Sequence, residues 1–509
     1  MNPEPGTSNL NPEPRTRNPE PRSLFELSTL PWLERLSRAS GGAVTLATVP
    51  ASEWDRLAAA GYDLVFLMGL WSRSRIGREL ALSDPVMVAE YDRVLPGWTA
   101  GDVAGSAYCI ERYEPAEEVG GWAGLATARR ALADRGIRLI LDFVPNHTGF
   151  DHPWVASHPR RYVLGSDADV RERPGDFRTM DSVNGPVHVA CGRDPYFPPW
   201  RDVAQLNYFH PETRQAMQET LVALAAHCDG VRCDMAMLPL NEVFERTWRG
   251  VLREAWPPPA GEFWPSATAA APGLVYLAEV YWGLEERMLG QGFDLVYDKR
   301  LLDALQAPDA GARVRALVTS DRPPPARLAR FLDNHDELRS AAALAGRLPA
   351  AAALVGTLPG VRFFFDGQHG GRRLRIPVQL GRWPEEPEDP GIRSLYERVM
   401  RFAALARLKE AEWRPLEVRA CDDDTHASLT AYRWRTPSSL AIVVVNPGGR
   451  PAQAQLAVME ELPPGEAFDF DDVLGGASYR WTRAALAASG LYVRLDAGGA
   501  HLFMVRPTA

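Results

Sequence analysis

Four short segments constrain this chain more than anything else in it. Residues 139–149 (LILDFVPNHTG), 229–237 (DGVRCDMAM), 277–282 (LAEVYW) and 331–337 (FLDNHDE) each place a carboxylate just after an apolar run. The runs are dense in branched residues and too quickly followed by polar turns to be helices, so they read as buried strands. The carboxylates then stand at strand C-terminal ends. In a barrel of parallel strands those ends converge, so Asp142, Asp234, Glu279 and Asp336 are expected in one cleft although they lie far apart in sequence.

The other strands follow the same logic. Residues 24–33 predict the first strand and its exit, 63–71 the second and 136–143 the third. Residues 228–234, 274–279, 293–298, 328–333 and 361–367 complete a set of eight, and 211–227 predict a helix. The predicted fold is therefore α/β, a (β/α)8 TIM barrel over residues 23–411. At 509 residues the chain has room for an insertion and one appended domain besides. Residues 148–205, rich in Pro, Asp, Arg and aromatics and without a helical period, are far longer than a usual connection and read as an inserted domain. After a helical stretch ending near Trp413, alternating runs such as SLTAYRW, SLAIVVVN and LYVRLDA predict a C-terminal antiparallel β-sandwich over 412–509. Residues 1–22, with Asn-Pro-Glu-Pro starting at Asn2, Asn11 and Asn18, read as an extended, solvated tail.

Composition removes several function classes. A net charge of −9, a pI near 5.7 and Lys only at Lys299 and Lys409 leave no electrostatic footprint for nucleic acid or an anionic membrane. The N-terminus lacks a charged start followed by an apolar core, and no apolar run reaches spanning length, so a soluble, cytoplasmic protein is expected. Five cysteines, an odd and scattered set, suit reduced and mostly buried thiols rather than a disulfide framework or a metal pattern.

The four segments together resemble the α-amylase superfamily, glycoside hydrolase family thirteen. Its recurring patterns are D-x-x-x-N-H, met here by Asp142 to His147; G-x-R-x-D, met by Gly230 to Asp234; a Glu ending strand five, met by Glu279; and N-H-D, met by Asn334 to Asp336. The resemblance runs from about Phe25 to the C-terminus, with 148–205 similar to the family's domain B and 412–509 to its domain C. It implies a retaining glycosidase acting on α-linked glucans or oligosaccharides.

Cleavage with retention needs one carboxylate to attack the anomeric carbon and one carboxylic acid to protonate the leaving oxygen, roughly 5 Å apart. By resemblance Asp234 is the nucleophile, Glu279 the acid/base and Asp336 the third carboxylate, which stabilises the oxocarbenium-like transition state. Arg232, two residues before Asp234 and on the same strand face, is expected to lower the Asp234 pKa and keep it ionised. The charge on Asp234 is expected to raise that of Glu279. His147 and His335 match the family histidines that bond sugar hydroxyls, Asp142 is read as orienting Arg232, and Tyr108 as the aromatic platform under the sugar. Here the family's Gly before the Tyr is Ala107 and a later Asp is Arg112. Trp282, Trp200, Tyr196 and Phe197 either extend the platform or are packed. Asn146 matches a position that supplies a calcium ligand in many amylases; a structural calcium and no cofactor are both open readings.

One departure bears on the acceptor. Where true α-amylases commonly have Lys-His after the strand-four motif, this chain has Met237 and Leu238, so water and a sugar hydroxyl are both open as acceptors and a transglycosylase is the alternative. A glycosyl-phosphate-using transferase is a further alternative, resting on Arg372, Arg373 and Arg375 near the barrel mouth. Against it stands a loop in which these arginines pair with the acidic stretch Glu385 to Asp389. An inactive carbohydrate-binding protein would usually have lost a carboxylate, and none is missing.

Overall fold

The computed structural model describes residues 23–252 and 256–508; the tail read over 1–22 lies outside the described residues. Within them eight parallel strands close into a barrel: β1 (Ser23–Ser28), β2 (Leu64–Met68), β3 (Arg138–Phe143), β4 (Gly230–Cys233), β5 (Val275–Ala278), β6 (Leu295–Tyr297), β7 (Leu328–Arg330) and β8 (Val361–Phe365). Seven fall inside the segments the sequence predicts, and β1 begins one residue before its own, at Ser23. Apart from Arg138 every residue of these strands is buried, as it must be when one face fills the barrel and the other packs beneath the helices. Rings close the interior: Tyr297, Phe331 and Phe363 meet at centroid distances of 5.0, 5.6 and 5.7 Å. Gly230 lets β4 approach β5, since a Cβ there would stand 2.6 Å from the Val275 carbonyl oxygen.

Beyond β3 the chain builds a separate sheet from His147–Gly149, Leu164–Gly165, Phe177–Met180, Val187–Gly192 and Trp200–Gln205. His147 pairs with Gln205 on the neighbouring strand, which carries Trp200 across to the His147 ring at 5.5 Å.

The C-terminal region consists of antiparallel sheets. One runs Glu412–Pro415, Thr430–Thr436, Ser439–Val445, Ala500–Thr508, Ala467–Asp472 and Ser478–Thr482; the other Val418–Arg419, Ala452–Leu456 and Leu491–Leu495. Ile442, Val444, Leu456, Phe468, Phe470 and Phe503 share the apolar core of this region. The helix expected to end near Trp413 is Pro390–Leu405, and Trp413 sits in a strand instead. The Ala467–Asp472 and Ser478–Thr482 hairpin is not foreseen by the sequence, because AFDFDD puts aspartates where strands favour β-branched residues; Asp469 offsets this by pairing with Arg480 across the hairpin. The region docks on the barrel through helix Leu348–Thr357, where the Trp434 indole N–H donates to the Thr357 carbonyl at 2.7 Å. All five cysteines are unpaired, four of them buried. Among the described residues no helix is long and apolar enough to cross a membrane.

Candidate active site

Backbone bonds continue the barrel's ladder one step past the strands and so fix the key carboxylates. Asp234 N–H donates to the Phe143 carbonyl at 2.9 Å, Glu279 N–H to the Cys233 carbonyl at 3.1 Å, and Ala236 N–H back to the Glu279 carbonyl at 2.9 Å. Arg232 on β4 stands in register opposite Asp142 on β3. Its fully buried guanidinium holds Asp234 through Nη1 at 2.8 Å and Glu279 through Nη2 at 2.8 Å, with Asp142 at 3.4 Å. The expected orienting contact between Asp142 and Arg232 is thus present but long, and the second Asp142 oxygen accepts from Gly69 N–H at 3.2 Å.

The N-H-D segment is a side-chain-capped turn. Asn334 Oδ1 accepts from the backbone N–H of Asp336 and of Glu337, both at 2.9 Å, which points Asp336 at the cleft. His335 Nε2 lies 2.9 Å from Asp336 Oδ2 and 2.6 Å from the Tyr108 hydroxyl, while Nδ1 lies 2.5 Å from Glu26 Oε1. The Tyr108 ring stacks on His335 and also lies against Arg232.

Asp142, Asp234, Glu279 and Asp336 crowd around one arginine and one histidine. Burial pushes Asp234 up to about 8, against the pull of Arg232 and with the help of Glu279 and Asp142. The expectation that Arg232 would leave Asp234 with a lowered pKa is therefore corrected: the guanidinium acts in that direction, but loss of water outweighs it. Burial likewise raises Asp142 to about 6. Asp336, whose side chain opens to the cleft and is 43% exposed, goes the other way: desolvation by the surrounding walls raises it, but His335 holds it down to about 2. His335, against its own burial, is held well above the usual histidine range by Asp336 and Glu26, and burial drops His147 to about 4.

Glu279 is a hydrogen-bond acceptor on both oxygens. Oε2 takes the Met235 N–H at 2.6 Å besides Arg232, and Oε1 takes the Tyr281 hydroxyl at 2.7 Å. Met235, next to Asp234, and Trp282, three residues after Glu279, both have left-handed backbone, φ 41° and 63°, a conformation costly for side chains this large and typical of sites whose surroundings enforce it.

Asp234, Glu279 and Asp336 share a cleft of about 670 Å³ with Tyr108, His147, Trp200 and Met235. Trp282, Tyr196 and Phe197 do not line this cleft but lie close in the chain to residues that do, Trp282 three after Glu279 and the other two just before Pro199 and Trp200; this aromatic rim is 36%, 58% and 63% exposed, and the Tyr196 ring meets Trp282 edge-on at 5.0 Å. Met237 and Leu238, which stand where Lys-His is common, are buried in the core, and the cleft-lining residue of this turn is Met235. The arginines after β8 are engaged. Arg372 lies over Trp383, Arg373 faces Asp389, and Arg375 Nε donates to the Asp336 carbonyl at 2.8 Å. Asn146 and Gln205 bond each other's side chains, with Gln205 Nε2 donating to Asn146 Oδ1 at 2.9 Å and the Asn146 amide to Gln205 Oε1 at 3.2 Å. Among the described residues no group of three or more His, Cys, Asp or Glu could hold a metal ion; this donor set does not fit the hard, multi-oxygen demand of calcium.

Three residues at this site escaped the sequence reading. Glu26 is an acidic residue inside an apolar strand, a signal in itself, while Tyr281 and Tyr297, whose hydroxyl accepts from Arg232 Nε at 3.3 Å, look like ordinary core aromatics.

No family model matches the chain. Among curated proteins it is similar to the α-amylase MalA of Haloarcula japonica, 26% identical over 359 residues, which is 68% of this chain and 48% of that one. It is also similar to a trehalose synthase of Thermus thermophilus, 29% identical over 235 residues, 40% of this chain and 23% of that one. The chain resembles the α-amylase superfamily. The matched stretch spans about half the length of the first relative and about a quarter of the second. Among solved structures, a maltogenic α-amylase, AmyB, of Thermotoga neapolitana superposes with a TM-score of 0.64 at 17% identity, over 95% of this chain and 98% of that one. A cyclomaltodextrinase superposes with a TM-score of 0.59 at 19% identity, over 91% and 71%. These superpositions establish the fold: a TIM barrel with an insertion after β3 and a C-terminal antiparallel β region.

Proposed function

We propose that this chain is a retaining glycosidase of the α-amylase type that acts on α-linked glucans or oligosaccharides by double displacement, with Asp234 as nucleophile, Glu279 as acid/base and Asp336 as transition-state stabiliser. We further propose 148–205 and 412–509 as the bounds of its inserted and C-terminal domains. One observation carries the mechanism: Asp234 and Glu279 are bound to adjacent nitrogens of a single buried guanidinium, each at 2.8 Å. Two carboxyl groups sharing one guanidinium suit the roughly 5 Å separation of a retaining pair better than the wider, water-filled gap of an inverting one.

Arg232 also suits the charge that moves during the reaction. The reacting form is the one in which Asp234 has lost its proton and Glu279 carries one; when Asp234 then attacks the anomeric carbon, the bond to the leaving oxygen breaks and Glu279 gives that oxygen its proton. The negative charge thereby passes from Asp234, now an ester, to Glu279, now a carboxylate. A cation touching both can follow this transfer without moving, which is preorganised stabilisation. In the second step Glu279 takes the proton of the incoming hydroxyl, whose oxygen displaces Asp234. Tyr281, donating to Glu279, keeps the carboxyl aimed at the scissile bond. Asp336 faces the developing positive charge on the sugar, with Tyr108, His147 and His335 around its hydroxyls.

The relatives, an α-amylase and a trehalose synthase, support both water and sugar as acceptor. Transfer is the second reading, favoured by the exposed aromatic rim of Tyr196 and Trp282, on which an acceptor sugar can stack. A phosphate acceptor has no such support, since the arginines after β8 already have partners. Proton NMR of a malto-oligosaccharide digest tests the proposal: the α-anomer should appear first, and the β-anomer appearing first would contradict double displacement. Parallel incubations with sucrose and trehalose separate hydrolysis from transfer.

A further inference from the structure

Glu26, like Asp142, is an acidic residue inside a barrel strand whose side chain reaches the groups of the cleft. It is fully buried on β1, its Oε1 lies 2.5 Å from His335 Nδ1, and its Oε2 has no hydrogen-bond partner among the described residues. The other ring nitrogen, Nε2, lies 2.9 Å from Asp336. A neutral imidazole carries one N–H and would turn a lone pair toward one of these carboxylates; a ring flanked by carboxylates on both nitrogens donates from both only when it is doubly protonated. The surrounding charges agree. Asp142 and Asp333 add negative potential from β3 and from the end of β7, where Arg339 partly offsets Asp333. Arg232 and Arg375 oppose it, but Arg232 is shared by Asp234 and Glu279, and Arg375 is bound to a backbone carbonyl and to Glu90.

We propose that Glu26 is a positioning residue that keeps His335 as an imidazolium, so that the ring donates to Asp336 and to the Tyr108 oxygen and leaves the Tyr108 hydrogen free to bond a substrate oxygen. Glu26 touches no substrate; it acts through His335. The functional part of this inference rests on the glycosidase reading, whereas the protonation state of His335 does not.

The test is long-range ¹H–¹⁵N NMR of histidine-labelled protein between about pH 5 and 8, with the His335 signal assigned by its loss in His335→Gln. In wild type both ring nitrogens should show the imidazolium shift throughout. In Glu26→Gln, which keeps the size and removes the charge, the ring should titrate inside this range, a fall of about one unit or more, equal to a tenfold smaller imidazolium population. Steady-state kinetics on the same variant should show KM rising with pH through neutrality while that of wild type stays flat. A neutral His335 in wild type at neutral pH overturns the proposal whether or not the variant folds. So does a Glu26→Gln variant with the wild-type titration and pH profile. The expected NMR behaviour of both proteins together with no glycosidase activity in wild type would instead sink the functional reading alone.

Discussion

The floor and the rim of the cleft are built on different terms. The floor (Glu26, Asp142, Arg232, Asp234, Glu279 and His335) is buried, carried by strands or the first residues beyond them, and joined by contacts of 2.5 to 3.4 Å. The rim (Tyr196, Phe197 and Trp282) is exposed and carried by loops: the backbone N–H groups of Tyr196 and Phe197 donate to Asp194, and the Tyr196 ring meets Trp282 edge-on. A strand-borne floor fixes reacting groups to a fraction of an ångström and can hold charges where they are unfavourable; a loop-borne rim can change partner without disturbing the chemistry. On the proposed mechanism the floor determines which bond breaks, and the rim which sugar chain is offered.

The largest expected effect lies on the floor. Asp234→Asn should cut kcat by about 10⁴-fold or more, as loss of a nucleophile does, without destabilising the protein. Because Asp234 binds its proton more tightly folded, at about 8, than unfolded, at about 3.9, wild-type stability falls as pH rises through that window. The variant lacks this loss, so its thermal midpoint relative to wild type should climb from acid to neutral pH in paired melts. A midpoint that drops instead would mean Asp234 holds the fold together, and the contrast between floor and rim would fail.

Glu279→Gln should lose about 10²- to 10⁴-fold on natural glucans and recover on substrates with good leaving groups, which need no protonation. Equal losses on both would remove Glu279 from the acid role. Tyr281→Phe should cost about tenfold, the worth of one hydrogen bond of roughly 1–1.5 kcal/mol, in kcat with KM unchanged; a change in KM alone would make Tyr281 a binding residue. At the rim, Trp282→Ala should raise KM for longer oligosaccharides by about three- to tenfold, from a stacking contact of roughly 1 kcal/mol, and leave kcat on the shortest substrate alone. A large loss of kcat there would show that floor and rim are not separable.

The same contrast decides what the sequence can show. Dense branched runs with polar exits locate all eight barrel strands and all four carboxylates, because burial on both faces leaves strands no other composition. Glu26 stands out as a lone acid in an apolar run, but its role cannot be read there, because its partner His335 lies 309 positions away. The Asp234 shift is missed because a guanidinium two residues off can be read from a strand pattern, whereas the depth of burial opposing it cannot. Met237 and Leu238 follow Asp234 in sequence, yet the turn at Met235 sends them into the core. The rim aromatics are present in the sequence, but loops carry no period that separates an exposed ring from a packed one.

The central claim, that Asp234 carries the glycosyl group, is tested most directly by trapping. The protein is incubated with a fluorinated α-glucosyl fluoride, which slows both steps but leaves a good leaving group, digested, and mapped by mass spectrometry. The expected result is one added glycosyl mass on the peptide containing Asp234, absent from Asp234→Asn. A stable adduct on Glu279, Asp336 or any other carboxylate would contradict it.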